Sequence, residues 1–244
     1  MMRYTIKYVS LLAGMLTVFS SCEHKDLCFD HEAHAPKSDV HVKAVYEKEW
    51  EHTCEGGPDW EQYPAWESRF GMEYHELCPD APDGLRVQVY NEDGTNNILN
   101  VAPEGDIVRM RPGEHSLLLY NNDTEYIVFD DMNSFASAKA TTRTRTRASY
   151  AGNPFMGNTA ENTVNAPDML YGNYIESYTA ERKTEIDELP VTMHPLVFTY
   201  LVRYEFSHGL EYVALARGAL AGMAGAVWLN SGRTSEEAAT ILYD

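Results

Sequence analysis

Apolar and polar side chains alternate along much of this chain. Val40, Val42, Ala44 and Tyr46 alternate with His41, Lys43 and Glu47. Leu85, Val87 and Val89 alternate with Arg86 and Gln88, and Asn91-Glu92-Asp93-Gly94 follows as a turn. A period of two puts one set of side chains on a buried face and the other in water, so both runs predict half-buried strands. Leu117–Tyr120 and Glu125–Phe129 flank Asn121-Asn122-Asp123-Thr124, which reads as a four-residue hairpin loop. Arg111-Pro112-Gly113 reads as the turn before that hairpin. The clearest alternation comes later. Phe198, Tyr200, Val202, Tyr204 and Phe206 face one way, Val197, Thr199, Leu201, Arg203 and Glu205 the other, and Ser207-His208-Gly209 closes the run. From Tyr212 to Leu229 the chain is rich in Ala and Gly, with Gly218, Gly222 and Ala226 four apart. That stretch reads as a strand, a compact small-residue crossing and a strand ending at Leu229, with a short helix as the rival. Thr240 to Asp244 reads as a strand, and the predicted fold class is all-β.

Three segments break the alternation. The first is the N-terminus, with Arg3 and Lys7, then an apolar run from Tyr8 to Phe19, then Ser20-Ser21-Cys22. This is the layout of a secretory signal ending at a lipid-modified cysteine. The apolar run is too short to cross a bilayer, which takes about 20 residues. Residues 1–21 are therefore read as a signal peptide, Cys22 as the lipidation site and 22–38 as a polar tether. A single acyl chain holds a membrane only marginally, whereas several palmitate-like chains on Cys22 would suffice. The second segment, Trp50 to Cys78, is an aromatic insertion. It has two readings. Trp50, Trp60, Tyr63 and Trp66 could form a platform for sugar rings, or the insertion could be an irregular excursion laying its rings over the end of a sheet. The third runs from Met132 to Ala160 and contains no acid, while Lys139, Arg143, Arg145 and Arg147 sit among Thr, Ser and Ala. With so little to bury it reads as a loop or linker. It could contact an acidic neighbour, or be cut by an Arg-specific protease at Arg143, Arg145 or Arg147.

Charge narrows the functions. The formal net charge is -18 over 244 residues, and loss of residues 1–21 removes two cations and no acid. Such a surface repels phosphate backbones, so nucleic acid is excluded as a partner. It also repels anionic headgroups, which leaves lipid to hold the protein at a membrane. Of the four Cys, Cys22 is assigned to lipid, and Cys54 and Cys78 flank the insertion as a candidate disulfide that export would permit. No catalytic site, metal or cofactor is predicted. There is no G-x-S-x-G, H-E-x-x-H or P-loop. His31 and His34 lie in the tether with nothing to fix their geometry, and Asp130-Asp131 with the 121–125 loop fits no known calcium-binding spacing.

The order of several short pieces is more specific than any one of them. They are Ser20-Ser21-Cys22, Gly84 to Tyr90, Gly113 to Asn122, Thr141 to Arg147, Gly209 to Val213, Ala219 to Ala224 and Val227 to Asn230. Together they resemble an uncharacterised family of lipoproteins of gut anaerobes, akin to fimbrillin-like proteins that anchor or assemble minor fimbriae. The resemblance implies tandem transthyretin-like β-sandwiches, attachment to the outer membrane through Cys22, surface exposure, and a role in fimbria anchoring, assembly or cell adhesion. On this reading 39–135 form the first sandwich, 136–185 the basic loop and linker, and 186–244 a partial second sandwich. About 60 residues follow Glu185, too few for a full sandwich. The second domain is thus read as truncated or completed by a partner, and fimbrial subunits could join by adding a strand to an open edge. The alternative function is glycan binding through the aromatic insertion.

Overall fold

The computed structural model describes residues 37–47, 66–77, 79–146, 161–214 and 217–243. Cys22, Trp50, Cys54, Trp60, Tyr63, Cys78 and Arg147 lie outside these. All described residues belong to one compact unit, 37–244. Thirteen strands dominate it: β1 (Val40–Tyr46), β2 (Leu85–Asn91), β3 (Asn96–Val101), β4 (Ile107–Val108), β5 (Gly113–Asn121), β6 (Ile127–Asp130), β7 (Lys139–Thr142), β8 (Thr163–Asn165), β9 (Tyr171–Ala180), β10 (Asp187–Pro195), β11 (Gly218–Ala224), β12 (Ala226–Trp228) and β13 (Ala238–Tyr243). One short helix, α1 (Trp66–Phe70), and two 3-10 turns complete the described elements.

Seven strands form one sheet in the order β3-β2-β5-β9-β10-β1-β4. β9 and β10 share only two pairs, His194 with Gly172 and Pro195 with Tyr171. Beyond that narrow junction the sheet closes on itself in a sandwich-like arrangement. Val40, Val42, Val108, Val191 and Met193 from one half share a core with Leu85, Val87, Val89, Leu117 and Leu119 from the other. Gly105 stands where the β3–β4 connection crosses β1. Its φ is 102°, and a Cβ there would overlap the carbonyl of Val42.

The opposite face of β2 and β5 is covered as well. There Tyr90, Leu118 and Tyr120 pack against Ile127, Ala138, Ala140, Val227 and Leu229 of a second sheet, ordered β12-β7-β6, and its flanks. This explains the unbroken run of buried residues Leu117 to Asn121, since a strand covered on both faces does not alternate. It also corrects the reading of Gln88 as solvent-facing. Gln88 is 1% exposed. Its amide donates to the carbonyl of Met132 at 2.7 Å, and its own oxygen accepts from the Tyr120 hydroxyl at 3.2 Å. A third sheet, β11-β13-β8, carries the C-terminal strands.

Other elements differ from the sequence reading. β5 and β6 are not a hairpin: β5 pairs with β2 and β9, and β6 pairs with β7 in the next sheet. The connection between them is a corner, not a reversal. Residues 136–185, read as loop and linker, supply β7, β8 and β9. β7 needs little apolar bulk of its own because its neighbours provide it: Ala140 is buried beside Tyr120 and Phe129, whose rings lie 4.6 Å apart. β10, assigned to the second domain, pairs in parallel with β1 over seven positions and so belongs to the first sheet. The small-residue stretch read as a crossing is itself β11, bulged between Leu220 and Met223 where Gly222 takes a φ of 77°. The clearest predicted strand, Val197 to Phe206, is not a strand, because no neighbour pairs with it among the described residues.

Candidate interaction surface

Leu196 leaves the sheets through a bond from its N–H to the carbonyl of Leu170 at 2.7 Å. From there the chain runs over the surface to the 3-10 turn at Leu210–Tyr212. Phe198, Tyr200, Leu201, Val202, Tyr204, Phe206, Leu210, Tyr212 and Val213 are all exposed, Tyr212 at 86%. Scattered exposed hydrophobics are ordinary, but a contiguous run of this size marks an interaction surface.

Two apolar depressions flank the run. One, of about 250 Å3, has Glu47, Tyr74, Leu77, Tyr171, Phe198 and Leu201 in its wall. The other, of about 510 Å3, lies between the run and the third sheet, against Tyr200, Val202, Tyr204, Leu220, Ile241 and Tyr243. The hydroxyls of Tyr204 and Tyr243 meet at 3.0 Å at Gly218, where a Cβ would overlap both side chains. Two polar pairs lie nearby. Glu47 holds the Nδ1 of His194 at 2.6 Å, and Arg203 lies 3.3 Å from Glu205.

Of the four rings proposed for a sugar platform, Trp66 is the one described. It stacks at 4.3 Å on Phe70, tilted by 38°, and meets Tyr74 edge-on at 5.1 Å. Arg203 from the exposed run lies 5.6 Å from the centre of the Phe70 ring. α1 and the exposed run are thus in contact, and Trp66 turns toward its own neighbours.

Of the proposed cleavage residues, Arg143 and Arg145 are described. The N–H of Arg143 donates to Tyr126, that of Arg145 to Thr163 at 2.9 Å, and the carbonyl of Arg143 accepts from Asn165. The carboxylates considered for calcium are engaged elsewhere. Asp130 accepts from Thr141 at 2.9 Å, Asp131 lies 3.4 Å from Lys139, and Asp123 accepts from Asn121 at 2.7 Å. His208 lies 3.1 Å from the Ser207 hydroxyl. The two are neighbours in an exposed turn, and among the described residues no carboxylate orients the ring as a nucleophile's base requires. The sequence reading missed the exposed run as a surface, because alternation alone cannot tell a paired strand from an unpaired one.

Fold and surface together define an all-β chain of sandwich-like build with a large exposed apolar face. The chain belongs to the family described as a domain of unknown function, DUF5119, whose model matches residues 64–244. Over 175 residues it is 26% identical to a Bacteroides ovatus protein provisionally named fimbrium anchoring subunit Fim4B, covering 71% of this chain and 50% of that protein. The chain therefore spans half the length of that relative. A crystal structure of a provisionally named adhesin from Bacteroides ovatus aligns with a TM-score of 0.57 at 20% identity, over 92% of this chain and 66% of the other. A second such adhesin from Bacteroides ovatus gives a TM-score of 0.48 at 11% identity, covering 90% and 64%. These relatives are named for anchoring and adhesion.

Proposed function

We propose that this chain is a non-catalytic surface lipoprotein, held in the outer membrane by acyl chains on Cys22, that anchors or assembles a fimbrium or mediates adhesion. The observation that carries this reading is the match over 71% of the chain to a protein named as a fimbrium anchoring subunit. The order of Arg3, Lys7, the apolar run and Ser20-Ser21-Cys22 supports the lipid anchor. Fimbrial subunits join by strand addition, and the architecture is two transthyretin-like sandwiches in tandem. Cys54 and Cys78 pair as a disulfide, and an Arg-specific protease acts at the basic run, at Arg143, Arg145 or Arg147.

Deleting the gene and shearing the cells tests the function. The proposal expects fimbriae to be shed from the deletion strain and retained when the wild-type gene is restored. Full retention without the protein would refute the anchoring role.

A further inference from the structure

Residues 197–208 raise an accounting problem that the chain does not solve. Buried or strand-forming backbone groups find partners almost without exception. Yet none of the N–H or C=O groups from Val197 to His208 bonds to another backbone group among the described residues. The side chains keep the alternation of a strand, and Phe198, Tyr200, Val202, Tyr204 and Phe206 stand between 40% and 64% exposed. A loop left to water would not carry five large apolar residues at every second position. The pattern is that of a strand without a neighbour.

The space beside it has a definite shape. The 510 Å3 groove runs between this segment and the third sheet, with Leu220, Ile241 and Tyr243 on its far wall. The Tyr204–Tyr243 hydroxyl pair, seated over Gly218, bounds it. Among the described residues β11 stands at the edge of the third sheet, next to β13. Its residues are mostly small, Ala219, Ala221, Gly222 and Ala224 among them, so bulk must come from whatever lies alongside.

An acyl chain could fill the groove but would leave the backbone of 197–208 unpaired. An extended polypeptide satisfies backbone and side chains together. The net charge of -18 adds a further requirement, since cationic flanks on the incoming segment would be drawn to this body.

Resting on the fimbrial reading above, we propose that this groove receives an extended strand from a separate fimbrial subunit, with large aliphatic or aromatic residues at alternate positions and Lys or Arg at its ends. The strand pairs along 197–206 and packs its apolar side chains over β11 and β13.

Hydrogen exchange on the full chain tests this, with a synthetic twelve-residue peptide of alternating Val, Phe and Thr flanked by Lys. The peptide should slow exchange across 197–208 at least tenfold. A peptide of the same composition with the alternation scrambled should not. The double variant Tyr200→Lys, Val202→Lys should abolish the protection without changing the melting temperature, since both side chains are exposed. Three results would overturn the proposal: no slowing at 197–208, equal protection by myristate, or equal protection by raising the protein concentration alone. Cells separate this claim from the anchoring role. If deletion sheds fimbriae but the double variant holds them as firmly as wild type, the groove is not the docking site and the anchoring reading stands. If deletion sheds nothing, the anchoring reading fails and the proposed occupant goes with it.

Discussion

Tyr46 shows what one side chain does at the closed end of β1. Its hydroxyl donates to the carbonyl of Pro103 at 2.9 Å, and its ring meets Tyr171 edge-on at 5.2 Å. Burial, with smaller contributions from the charges of Asp123 and Glu104, pushes its pKa up from 10.0 to about 12. The folded state therefore holds this proton more tightly than the unfolded state does. Stability from the neutral hydroxyl is complete below pH 10 and is lost as the pH rises toward 12. Denaturant titrations of wild type and Tyr46→Phe should run parallel up to about pH 10, and the wild type should then fall more steeply. Parallel curves through pH 12 would mean that the hydroxyl is not held as described. Tyr46 also shows how far alternation reaches at this scale. Its inward face was legible because β1 has a wet side, with Val40 and Val42 fully buried and Lys43 exposed. The inward turn of Gln88 was not legible. A polar residue is placed in water by pattern, and only the second sheet, brought over from distant sequence, covers it; the β6–β7 connection supplies the carbonyl of Met132 as a partner, and the adjacent strand β5 supplies the Tyr120 hydroxyl.

At the scale of elements, β1 and β2 and the turn between β2 and β3 were readable because each depends on local pattern and local turn chemistry. Gly94, at a φ of 79°, donates to Asn91 at 3.0 Å and closes that turn as its sequence suggests. The β5–β6 corner was not readable, because what decides it lies about forty residues downstream. The Asp168 carboxylate accepts the N–H groups of Glu125 at 2.8 Å, Tyr126 at 2.5 Å and Ile127 at 3.3 Å. Asn121 reaches the same connection, accepting from the N–H of Tyr171 at 2.7 Å and donating to Met169 at 3.1 Å. Held on that side, the chain after β5 is turned into the next sheet and cannot fold back on β5. Asp168→Ala leaves three amides without their acceptor and should cost about 2–3 kcal/mol in urea unfolding, with the slope unchanged. Asp168→Asn, which keeps an acceptor oxygen, should cost less. A neutral Ala variant would show that the corner is set by packing alone. The segment 197–206 is the reverse case. Its pattern is stronger than that of any strand that formed, yet pattern cannot supply a neighbour.

For the molecule as a whole, the proposed location rests on the sequence of residues 1–22 and not on the fold. The net charge of -18 gives a surface that repels phosphate backbones and anionic headgroups. The seven-stranded sheet, closed on itself and backed by a second sheet, gives a body buried on both faces of its central strands. The pairing of β1 with β10 crosses the division read from the sequence at residue 185. Parallel pairing of β1 with β10 joins positions about 147 residues apart, and no local signal announces such a contact. The proposed function stands most directly on the lipid anchor at Cys22. Mass spectrometry of the N-terminal peptide, taken from protein isolated with the outer membrane, measures this directly. The prediction is a peptide that begins at Cys22 and carries lipid on its sulfur. A free thiol at Cys22, or a chain that still holds residues 1–21, would contradict it.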